Sequence, residues 1–221
     1  MHVNDLGFTF AAVWTSSLGE FPLFDTRFCL DLFGDPYQTA TNISAEGFVI
    51  TRVGVPPLTV APAAVVGPAR VVFTAPVLDQ LTDICERLWP PLREWAASRG
   101  HALACSAIGV NSEHEITGLD APATEWLLRR FSPPAPPDAG MRPTGHTNLA
   151  TQVMVDNRRW EIVLQPRAGR TDALYALVNQ EDTAVRELPD RALLLAAFER
   201  RAPALTTRVW PWLLGADHRG G

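Results

Sequence analysis

The sequence predicts an α+β protein in which antiparallel sheets carry helices packed on one face. Three observations support this. The first 75 residues hold β-branched and aromatic runs broken by glycine and proline, an apolar stripe at helical spacing follows Pro76, and the segment after Thr147 alternates apolar and polar side chains.

The early strands are expected at Phe8 to Thr15, Thr26 to Phe33, Gly47 to Val53 and Ala69 to Thr74, with Gly34-Asp35-Pro36 and Pro56-Pro57 as breaks. After Pro76, the residues Val77, Leu78, Leu81, Ile84, Leu88, Leu92 and Trp95 recur every three or four positions, the mark of a helix with one buried stripe. Pro90-Pro91 is expected to kink or split that helix near Trp89, because proline removes an amide donor and clashes with the preceding turn.

His101 to Ile116 reads as a long strand, and Asp120 as the N-cap of a short helix through Phe131, with Pro122 just inside it. Residues 133–145 are dense in proline and glycine and are expected to form a surface loop. Beyond them Leu149, Thr151, Val153 and Val155 alternate with Asn148, Ala150, Gln152 and Met154, and Asp156-Asn157 turns the chain before Trp160, Ile162 and Leu164. Ala168-Gly169-Arg170 turns it again into Ala173 to Val178, completing a meander. Pro189 opens a last helix, with Leu193, Leu194, Ala197 and Phe198 on one side, expected to end before Pro203.

Two organisations fit this pattern. In one, residues 1–100 hold a sheet and the kinked helix and residues 101–221 hold the rest; in the other, the chain is one continuous domain. Sliding the chain by 113 positions matches Val72 with Val185, Pro76 with Pro189, Leu81 with Leu194, Glu86 with Glu199, Arg87 with Arg200, Pro90 with Pro203 and Leu92 with Leu205. That match points to two pseudo-repeated sheet-plus-helix halves.

Composition removes several function classes. All 19 basic side chains are arginine, so Schiff-base chemistry, a P-loop lysine and a lysine general base are excluded. A net charge of −5 with scattered arginines offers no footprint for nucleic acid. No apolar run reaches the length of a membrane span and no basic signal region opens the chain, which suggests a cytoplasmic protein without membrane contact. Cys29, Cys85 and Cys105 are odd in number and widely spaced, the pattern of buried free thiols.

Two places could carry function. Val110-Asn111-Ser112-Glu113 and Val178-Asn179-Gln180-Glu181 share a V-N-x-E pattern at strand ends. Glu113, His114, Glu115, Glu181 and Asp182 could therefore converge on a divalent cation, magnesium or calcium through carboxylates, zinc or manganese with His114. The competing reading is that asparagine favours turns and acids solubilise strand ends. Cys105 and His101 share a strand face, but four residues put them about 13 Å apart, too far for activation. The second place is aromatic: Trp89, Trp95, Trp210, Trp212 and Leu213 lie in proline-interrupted segments and are candidates for a partner-binding surface, with core packing as the alternative.

The expectation is a non-enzymatic binding or assembly module, with a protein partner or further copies of itself and no cofactor. The rival is an enzyme or binding protein for a small molecule or metal, with a cleft between the two halves.

Overall fold

Chain segments with period-two burial pair as strands, and those with period-three-to-four burial cover them. The computed structural model describes residues 1–18, 39–44, 47–52, 62–131, 148–183 and 186–215. Within them lie strands β1 (His2–Trp14), β2 (Thr39–Ser44), β3 (Gly47–Arg52), β4 (Ala63–Val66), β5 (Arg70–Ala75), β6 (Cys105–Thr117), β7 (Leu149–Val155), β8 (Arg158–Pro166) and β9 (Leu174–Asp182). The helices are α1 (Leu78–Ser98), α2 (Ala123–Phe131), α3 (Arg191–Ala204) and α4 (Trp210–Leu214). The strand order is β2-β3-β4-β5-β1-β6-β9-β8-β7, so the fold is a mixed α and β one built on an antiparallel sheet. The strand expected at 26–33, the loop at 133–145, the breaks at 34–36 and 56–57, and Cys29 lie outside the described residues.

The chain divides into two compact units. One comprises Leu6–Asn111 and Gln180–Ala202. Its β1–β5 register sets Phe10 opposite Phe73 and Ala12 opposite Val71, all buried on one face. Leu81, Ile84, Cys85, Leu88, Trp89 and Leu92 of α1 fill the same core, Trp89 lying edge-on to Phe10 at 5.6 Å and to Phe73 at 5.2 Å. Pro90-Pro91 does not split the helix: α1 runs as one element through both prolines. The carbonyls that lose their donors belong to Glu86 and Arg87, whose exposed positions let water replace the missing amides.

Asp190 caps α3, its Oδ1 accepting the Leu193 amide at 2.8 Å. Leu194 and Phe198 join the core, whereas Leu193, expected beside them, is exposed. Arg191 ties the start of α3 to α1 through ion pairs with Asp79, Asp83 and Glu86. The helix also continues past Pro203, where it was expected to stop, through a π-helical turn at Leu205–Val209 into α4. The Glu199 carbonyl, which loses the Pro203 amide, belongs to an exposed residue, and the Thr207 hydroxyl donates to the Pro203 carbonyl at 2.8 Å.

The other unit comprises Met1–Asp5, Ser112–Asn179 and Pro203–Gly221. Trp160, Ile162 and Leu164 of β8 and Leu174, Ala176 and Val178 of β9 are its buried sheet face. Trp126 and Leu127 of α2 pack on it with Leu205, Val209, Trp210, Leu213 and Leu214. Asp156 (φ 50°) and Asn157 (φ 61°) form the two-residue turn between β7 and β8, both left-handed as a type I′ hairpin requires. Asp120 is not adjacent to the helix it was expected to cap: α2 starts at Ala123, whose amide donates to the Thr171 carbonyl at 2.8 Å.

At the 113-residue offset the helix starts Leu78 and Arg191 coincide, as do the internal prolines Pro90 and Pro203. The packing differs. Leu81, Ile84, Cys85, Leu88, Trp89 and Leu92 of α1 lie in one core, as do Leu194 and Phe198 of α3, whereas Leu205, Trp210 and Leu213, beyond Pro203, lie in the other. Among the described residues no helix is long and apolar enough to cross a membrane.

Candidate functional site

Alternation along β6 separates the residues expected to share a cation. Ser112, His114 and Ile116 point into the core, which leaves Glu113 and Glu115 on the opposite face. Glu181 and Asp182 are neighbours on β9 and diverge for the same reason. Among the described residues no group of three or more histidine, cysteine, aspartate or glutamate side chains is arranged to hold a metal.

The carboxylates have other partners. Glu115 Oε1 accepts from Arg170 at 3.2 Å and lies 3.9 Å from Arg167, and Arg170 also pairs with Asp172. Burial, then the Glu113 carboxylate beside it, pushes the Tyr175 phenol well above its ordinary pKa. The Arg167 guanidinium sits 5.7 Å from the centre of the Tyr175 ring. Glu113, Glu115, Arg167, Arg170 and Tyr175 thus form a connected polar network within one unit.

His114 is buried and held at both ring nitrogens. Nδ1 is 2.8 Å from Asp5 Oδ1, and Nε2 is 2.7 Å from the Ser112 hydroxyl. An ionised Asp5 only accepts, so Nδ1 carries a hydrogen, and a neutral ring then accepts the Ser112 O–H at Nε2. The His114 bond is the main reason the Asp5 carboxyl is held below its ordinary range. Trp210 closes the site, its ring edge-on to the imidazole at 4.9 Å. The connectivity is that of an orienting acid, a base and a nucleophile. Ser112, however, is only 3% exposed and no carbonyl carbon could reach its oxygen. The chain therefore acts as a bracket that satisfies a buried imidazole. Only His114 of the three was singled out by the sequence, because Asp5 is 109 residues away.

The tryptophans divide sharply. Trp89, Trp210 and Leu213 are interior residues and present no surface to a partner, and the Trp89 Nε1 donates to the Pro189 carbonyl at 2.9 Å. Trp95 is half-buried and stacks on His101 at 6.3 Å. Trp212 alone of these is exposed, at 50%. Cys85 and Cys105 are free and buried, and burial lifts the Cys105 thiol to about 11 and the Cys85 thiol further.

An edge that the sequence reading passed over is open. β7 is terminal in the strand order, and among the described residues no strand pairs with its outer side. Its type I′ turn makes Val155–Arg158 the pair that exchanges backbone hydrogen bonds, so Val153, Thr151 and Leu149 bond β8 as well. Ala150, Gln152 and Met154 then turn their N–H and C=O groups outward, and their side chains are exposed. Sheet edges are usually blunted by charge, proline, bulges or short length. Leu149–Val155, LATQVMV, is seven residues long with no charge and no proline. Met154 at 67% is the most exposed large hydrophobic side chain among the described residues.

No protein-family model, no characterised protein and no solved structure matches this chain.

Proposed function

We propose that the chain is a non-enzymatic cytoplasmic binding or assembly module, which acts by accepting an extended protein segment along the free edge of β7. The observation that carries this reading is the uncharged, unbroken edge of β7, whose outward amides and carbonyls form a ready template for strand addition. The half-exposed Trp212 and the exposed Met154, both in the same unit as β7, supply apolar surface of the kind that associating proteins cover. Free, buried cysteines suit a reducing compartment.

The test is Gln152→Pro. Proline there deletes one outward amide and leaves the β7–β8 ladder intact, because Gln152 faces Glu161 as a pair that does not exchange backbone bonds. The variant should keep the wild-type circular dichroism spectrum but lose association in light scattering. An unchanged association state would remove β7 from the account.

A further inference from the structure

We infer that the segment β7 accepts is β7 of a second copy, paired antiparallel about a twofold axis through Gln152. This deepens the reading of β7 as an association edge and rests on it. Only outward-facing residues can form the bonded pairs across such an edge, which restricts the symmetric registers. Setting Gln152 opposite itself is the one that pairs all seven residues of Leu149–Val155, and every displaced register leaves strand unpaired.

The side chains fit this register. Met154 falls on Ala150 of the copy, covering the most exposed large hydrophobic side chain of the described residues twice over. The two Gln152 amides face one another and can exchange hydrogen bonds, whereas two like charges at that position would repel. On the core side Thr151 meets Val153 and Leu149 meets Val155, so the apolar layer of the unit continues across the axis. No charged residue of the strand opposes another, since the strand has none.

Cysteine cross-linking reads the register directly. Directly opposed bonded residues have Cα atoms about 5.5 Å apart, within the range a disulfide spans. Two copies of residue 154 would be separated by about 13 Å along the strands, beyond that range. Gln152→Cys should therefore give a disulfide dimer under mild oxidation, with the 152–152 peptide found by mass spectrometry, while Met154→Cys should not. The wild-type chain should show a concentration-dependent dimer by light scattering that Gln152→Pro dissociates. Association abolished by Gln152→Pro without the 152–152 link would overturn this register and partner while leaving β7 as a binding edge. A monomer at every concentration, with no 152–152 link, would overturn the self-pairing and leave β7 only as an edge for a segment of another protein.

Discussion

Asp5 and His114, 109 residues apart in the chain, share a 2.8 Å hydrogen bond that fixes the far end of an imidazole buried against Trp210. The bond couples the first strand to the sixth within one unit, and it sets how that unit responds to acid.

Because the folded state holds the Asp5 pKa below 3.8, Asp5 contributes stability that is fully present above that value and is lost as pH falls through the lowered one. Asp5→Ala should destabilise the protein at neutral pH, with the gap to wild type closing below about pH 4. The carboxylate is 63% exposed, so solvent screening keeps the effect modest. Urea melts from pH 3 to pH 7 check this; a gap that widens in acid would contradict it.

Ser112 should stay unmodified when the folded protein is treated with a fluorophosphonate, because its hydroxyl is buried and bonded to His114. Intact mass spectrometry reads the result. Stoichiometric labelling at Ser112 would show that Asp5, His114 and Ser112 open to substrate and would revive the enzyme alternative.

Trp210 and Trp212 are two residues apart and should behave oppositely. Trp210→Ala removes a side chain packed in the core and should cost about 3–5 kcal/mol in unfolding free energy. Trp212→Ala, at a half-exposed position, should cost under about 1 kcal/mol. Equal losses would contradict this assignment of interior and surface.

Cys85 and Cys105 should resist thiol reagents until the protein unfolds, since burial raises both thiol pKa values and suppresses the thiolate. Peptide mapping after labelling with and without denaturant distinguishes them. Rapid native labelling of Cys105 would show that its burial is relieved in solution.

Local pattern was the legible part of the sequence. The meander of β7, β8 and β9 follows from strict alternation and from Asp156-Asn157, residues that tolerate the left-handed turn. The stripe of α1 from Leu81 to Leu92 was equally plain. The behaviour of the prolines was not, because Pro90, Pro91 and Pro203 stay inside helices by leaving carbonyls of exposed residues to water, which depends on which face is covered. The candidate metal residues were drawn together by the V-N-x-E pattern at two strand ends, yet alternation alone sends His114 and Glu113 to opposite faces of β6. Asp5 and the free edge of β7 were out of reach, since sheet order decides both and it is written in contacts distant along the chain.

The most direct test of β7 as an association edge is amide hydrogen exchange at Ala150, Gln152 and Met154, followed across a dilution series. The account predicts slow exchange at high protein concentration that becomes fast on dilution, while Thr151 and Val153, bonded to β8, stay slow throughout. Exchange at Gln152 that does not change with concentration, whether fast or slow, would contradict it.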